Sequence, residues 1–109
     1  MSDFTDYMET HALYRGIEIR DQIHNITRWM DRYESARNTY PMWITRDGKH
    51  IKVENLSQNH LNNLLSFVPA DNGWHHIFEC EAEYRKLKVQ LEQLKKELEE
   101  FENIIEQVY

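Results

Sequence analysis

The residues with the most chemistry in them open the last third of the chain, at His75-His76-Ile77-Phe78-Glu79-Cys80. On a helix, His76 and Cys80 stand four apart, as do His75 and Glu79, so each pair shares one face and has chelating geometry. No second ligand pair at zinc-like spacing occurs elsewhere, and Cys80 falls on an apolar stripe described below. The expectation is a buried thiol beside exposed imidazoles, with no metal and no cofactor. Burial also argues against a Cys–His nucleophile, which needs an accessible thiolate. GxSxG, a Gly-rich phosphate loop and HExxH are all missing from the sequence. Three glycines in 109 residues leave little scope for a strained catalytic loop, so the chain is not expected to be an enzyme.

A second group of candidates lies around Asp47-Gly48. Met42-Trp43-Ile44-Thr45-Arg46 and Lys49-His50-Ile51-Lys52-Val53 flank that pair, which suits a two-residue type I′ turn. Such a turn pairs Arg46 with Lys49, Ile44 with Ile51 and Met42 with Val53. One face is then Met42, Ile44, Ile51 and Val53; the other is Trp43, Thr45, His50 and Lys52. A lone hairpin is marginal in water, so the aliphatic face is expected on the helices, with Trp43 pointing away, either exposed or covered by another helix such as 3–15. An aromatic beside a cation on an exposed strand suits a protein contact, making Trp43, Thr45, His50 and Lys52 the expected partner-binding residues.

The elements that must hold these residues are mostly helical. Charged residues are 29% of the chain, mean hydropathy is −0.80, and Gly and Pro together supply only Gly16, Pro41, Gly48, Pro69 and Gly73. From Trp74 to Tyr109 no breaker interrupts a stripe of Ile77, Cys80, Tyr84, Leu87, Leu91, Leu94, Leu98, Phe101, Ile105 and Val108. Its alternating three- and four-residue steps are the a and d positions of a heptad. A helix of this length reaches about 50 Å at about 1.5 Å per residue, so part of the seam is expected to meet another chain, the alternative being a seam buried wholly on this chain's own helices. The oligomerisation residues are then Leu87, Leu91, Leu94, Leu98, Phe101 and Ile105. Residues 84–96 are basic on balance, whereas Glu97, Glu99, Glu100, Glu102 and Glu106 follow without a base. Two copies running antiparallel would lay one half on the other, so a homo-oligomer with antiparallel helix pairing is expected.

Upstream, Ile19, Ile23, Ile26, Met30, Tyr33 and Tyr40 make a shorter seam interrupted by Arg37. Phe4, Tyr7, His11 and Tyr14 follow a different frame. This predicts a helix near 3–15, a break or kink at Gly16, and a helix near 18–39 that ends before Pro41, with the alternative that the two form one bent helix. After the hairpin, Ser57 is the N-cap of a short helix, with Leu56 and Leu61 as a hydrophobic staple and His60 at the third helical position. That helix stops at Pro69. The fold class is therefore mainly α: two N-terminal helical segments, a DG β-hairpin, a short capped helix and a long C-terminal coiled-coil helix. All of it is expected to form a single domain, residues 1–109, with 1–40 a helical arm, 42–69 the hairpin and short helix, and 74–109 the coiled-coil helix.

The pattern Trp43-x-Thr45-x-Asp47-Gly48-x-x-Ile51-x-Val53-x-x-Leu56-Ser57-x-x-His60-Leu61-x-Asn63 resembles a segment of small accessory proteins of tailed bacteriophages. It covers about residues 43–65 and brings no catalytic residues with it. The resemblance implies a phage-encoded protein in a host bacterial cytoplasm. Composition agrees with that compartment: no apolar run is long enough to span a membrane, the first residues are acidic, and one cysteine makes no internal disulfide. The net charge of −6 has no basic stretch to track phosphates, so nucleic acid is not an expected partner. The expected function is binding and modulation of a host protein by a coiled-coil oligomer. The alternatives are a nucleotide- or small-ligand-sequestering oligomer, a nucleic-acid-binding factor, and a structural or assembly protein.

Overall fold

The protein is seen here as a computed structural model that describes the backbone of residues 3–108 and the side chains of residues 13–107. It is mainly helical. In chain order it has α1 (Asp3–Arg37), the two-residue strands β1 (Trp43–Ile44) and β2 (His50–Ile51), a 3₁₀ turn Val53–Asn55, α2 (Gln58–Phe67) and α3 (Gly73–Val108). The chain groups into two compact units, and both long helices contribute to each. The first holds residues up to Trp29 with those from Lys88 onward; the second is Met30–Leu87.

In the first unit α1 passes through Gly16 as one continuous helix, so the two segments are joined rather than separated at the glycine. The reason lies in the heptad frame. Gly16 stands three residues before Ile19, at the a position preceding a d position, and both are buried. The seam therefore continues through the glycine, and burial of that line offsets the helix penalty of about 1 kcal/mol that glycine carries. Phe4, Tyr7 and His11 lie outside the described side chains, while Tyr14 is 66% exposed. Arg15 donates to Glu97 through Nε (3.0 Å) and Nη2 (3.2 Å), and Arg20 to Glu102 through Nη2 (3.2 Å). The first pair joins g to g and the second e to e, which is the pattern of antiparallel neighbouring helices; parallel ones join g to e. The acidic end of α3 thus finds bases on α1 of the same chain. On α3 the seam residues Leu91, Leu94, Leu98, Phe101 and Ile105 are half-buried.

The second unit contains the other core. Val53, Leu56, Leu61 and Phe78 are its buried centre, with Tyr40, Trp43, Ile51, Trp74 and Ile77 packed around them. Leu56 and Leu61 are the two ends of the staple, and Ser57 Oγ accepts from His60 N–H at 3.1 Å, so α2 begins as its sequence demands. Val68 closes the helix before Pro69. Asn72 Oδ1 accepts from Trp74 N–H at 2.9 Å and starts α3.

The hairpin departs from its expected register by one residue. Trp43 pairs with Ile51 and Ile44 with His50, not Ile44 with Ile51. Thr45 N–H donates to Lys49 O and Gly48 N–H to Thr45 O, both at 2.9 Å, and Gly48 has φ +84°. This is a three-residue loop closed by a left-handed glycine rather than a two-residue turn. Since side chains alternate across a strand, the slip exchanges the faces. Trp43 joins Ile51 on the core side, while Met42 and Ile44 turn outward, 45% and 55% exposed. The larger apolar area of tryptophan and its ring contacts favour this register. Trp43 meets Trp74 edge-to-face at 5.1 Å and Phe78 at 5.3 Å.

Candidate functional site

The hairpin is a rigid mount for a surface. Its base is the Trp43–Trp74–Phe78 cluster, in which Trp74 stacks on Phe78 at 5.6 Å. Its tip is tied by Lys49 N–H to Thr45 Oγ1 at 3.1 Å and by the Thr45 hydroxyl to the Asp47 carboxylate. That hydroxyl bond, chiefly, holds the Asp47 carboxyl below the ordinary carboxylate value. Of the residues expected to form one binding face, Thr45 and Trp43 are half-buried and His50 and Lys52 are exposed. The expected grouping is not assembled, because Trp43 lies on the opposite side of the strand from His50 and Lys52. The outer side consists of Met42, Ile44, His50 and Lys52 instead.

Met42 and Lys52 also border a small cavity of about 120 Å³, which Arg37, Asn38, Tyr40, Val53 and Glu54 complete. One of its lining residues, Arg37, is held by a buried acid that sequence reasoning passed over. Glu81 is fully buried and accepts from Arg37 Nε (2.8 Å) and Nη2 (3.0 Å) and from Arg85 Nε (2.9 Å). Arg85 further donates to the Leu56 carbonyl at 2.7 Å, joining α3 to the entrance of α2. Arg37 lies 4.2 Å from the Tyr84 ring centre, a cation–π contact. A signal for this triad did exist. Arg37 breaks an otherwise apolar seam, and a buried cation requires a buried acid.

The His/Cys cluster forms a separate open groove of about 620 Å³ in the same unit, with Tyr33, Leu65 and Lys86 also on its walls. His75 is held between two acceptors, the Val68 carbonyl at 2.9 Å from Nδ1 and Glu79 Oε1 at 2.8 Å from Nε2. His76 Nε2 is 3.6 Å from Cys80 Sγ. Cys80 is half-buried on the seam, beside the phenol of Tyr40. Burial, reinforced by that thiol, pushes the Tyr40 phenol up to about 12. Among the described residues no three His, Cys, Asp or Glu side chains converge as a metal set. The oligomerisation candidate Leu87 is half-buried in this unit. Among the described residues, no helix is long and apolar enough to cross a membrane.

The chain matches no known protein family, no curated protein and no solved structure at a significant level.

Proposed function

We propose that the chain is a non-enzymatic binding protein that docks on another protein through the outer side of its hairpin. Its motif resemblance makes the natural target a host protein engaged by a bacteriophage accessory factor. The observation that supports this reading is the exposure of Met42 and Ile44, 45% and 55%, on a hairpin whose other side is anchored in the aromatic core. Two adjacent apolar side chains held rigidly in water lose little conformational freedom on binding, which is what a contact hot spot requires. His50 and Lys52 rim the pair, and the 120 Å³ cavity beside it has room for one partner side chain.

The test is affinity purification of the tagged chain from infected bacteria. Ile44→Lys with Met42→Lys should remove the captured protein while leaving the far-UV circular dichroism and melting temperature near wild type, since both residues face solvent. If the double variant retains every partner, the hairpin assignment is overturned. A partner released mainly by salt, with a matching gel shift on DNA or RNA, would point to nucleic acid instead.

A further inference from the structure

The first unit has an incomplete core. Among its described residues, Ile19 is the one large apolar side chain that is fully buried. The unit's seam residues after it on α1, Ile23 and Ile26, and those from Leu91 to Ile105 on α3, stay half-buried. Two helices cover only the line along which they touch, so the flanks of an a/d seam need more helices to become dry.

One flank is shaped to receive them. It carries a groove of about 430 Å³ with Ile26 and Leu94 at its floor and Gln22, Asn25, Gln90, Gln93 and Glu97 on its walls. Trp29, seven residues beyond Gln22 at the same heptad position, is 52% exposed. Ile104, seven beyond Glu97, is 46% exposed on this flank as well. Exposed apolar residues at the ends of a groove walled mostly by amides, whose one carboxylate, Glu97, is already held by Arg15, mark an association surface more than a solvated one.

We propose that this groove is occupied by the same groove of a second copy of the chain, forming an antiparallel four-helix bundle. A surface that meets its own copy across a two-fold axis must complement itself. An axis running along the helices sets α1 of one copy against α3 of the other at the same level. Arg15 then faces Glu97 of the second copy while keeping its own, and charges alternate around that layer. One layer on, Gln22 faces Gln90 of the other copy. Each amide carries both donors and acceptors, so a ring of four pairs without net charge. Every neighbouring helix is antiparallel, which suits the macrodipoles.

The opposite flank is less self-complementary in its central layer. There Lys95 would share a layer with Lys95 of the other copy, and the neighbouring α1 residue in that layer is Thr27 rather than an acid. Between the levels of Ile104 and Trp29 the favoured flank is about 30 Å long and about 20 Å wide. That is on the order of 600 Å² per copy in projection, near the roughly 800 Å² per partner of a stable interface.

Sedimentation velocity of the full chain, from micromolar to about 200 µM, tests this. The wild type should sediment at twice 13.3 kDa. Gln22→Glu with Gln90→Glu places four carboxylates in one ring and should weaken the dimer by roughly a hundredfold or more, with helicity unchanged. Gln22→Lys with Gln90→Glu alternates the charges in the same ring and should stay dimeric. Trp29→Ala should weaken association by roughly tenfold or more. Should the double-Glu chain fail to fold alone, mixing it with a Gln22→Lys/Gln90→Lys chain should restore the dimer. A wild type that is monomeric throughout, a double-Glu variant that stays dimeric, or equal loss in the Lys/Glu and Glu/Glu variants would each overturn the proposal. The hairpin lies in the other unit, so partner capture through Ile44 is a separate readout.

Discussion

Removing the carboxylate of Glu81 should be among the most destabilising single changes in this chain. Glu81 has 0% exposure and accepts three charge-assisted bonds, at 2.8, 3.0 and 2.9 Å, from two guanidiniums. Arg37 and Arg85 are themselves mostly covered, with side-chain exposures of 16% and 21%. In Glu81→Gln the amide retains one acceptor oxygen but turns its NH₂ toward a guanidinium, leaving two cations facing each other in a poorly solvated site. Breaking a buried pair from one side costs about 3–5 kcal/mol, because the remaining charge is uncompensated. A domain of this size has roughly 5–15 kcal/mol in total, so the loss is a large part of it. With a urea m-value of about 2 kcal/mol/M, the midpoint should fall by about 2 M at unchanged m. Circular dichroism at 222 nm during urea titration measures this directly. Arg37→Met, Glu81→Leu and Arg85→Met together should recover part of the loss, since no charge is then buried; recovery stays partial because Arg85 also serves the Leu56 carbonyl. A Glu81→Gln midpoint within about 0.5 M of wild type would refute the reasoning.

Other consequences are open to the same methods. Gly16→Ala should stabilise the chain by about 1 kcal/mol in urea titration, because Gly16 is helical and a Cβ built there meets nothing within 4 Å. Gly48→Ala should destabilise by about 1–2 kcal/mol, because a φ of +84° disfavours any Cβ; amide exchange would show the hairpin opening first. Trp43→Ala should cost about 3–5 kcal/mol and remove most near-ultraviolet dichroism from the Trp43–Trp74–Phe78 cluster. Tyr40 gives an alkaline signature. Its phenol ionises at 10.0 when free and at about 12 in the fold, so the folded chain keeps a proton that the unfolded chain has lost. Stability is full below pH 10 and should decline between pH 10 and about 12, by at most about 2–3 kcal/mol. Absorbance at 295 nm should show a late-titrating tyrosine signal that Tyr40→Phe removes.

Much of the fold was legible because its signals are local. The three-four stepping from Ile77 to Ile105 fixes a helix whatever it packs against, since helical periodicity is a property of neighbouring turns. Ser57 caps α2 through the bond to His60 N–H, and Leu56 and Leu61 are buried as a staple requires. The candidate surface was less legible. Asp47-Gly48 permits both a two-residue and a three-residue loop, and the two differ by the single step that decides which side of the strand is dry. Arg37 was visible as an interruption of a seam, but Glu81, one helix away, became its partner only through packing.

Sequence by itself determined that the chain is helical, where its short helix starts and stops, and that a glycine closes a hairpin between the long helices. Those outcomes depend on propensity, capping and periodicity, all set within a few residues. Only tertiary structure decided that α1 continues through Gly16, that Trp43 faces inward while Met42 and Ile44 face out, and that a buried carboxylate joins two arginines. Each of these compares one way of burying surface or charge with another. That comparison depends on which partner surface is within reach, and the linear chain does not carry that information.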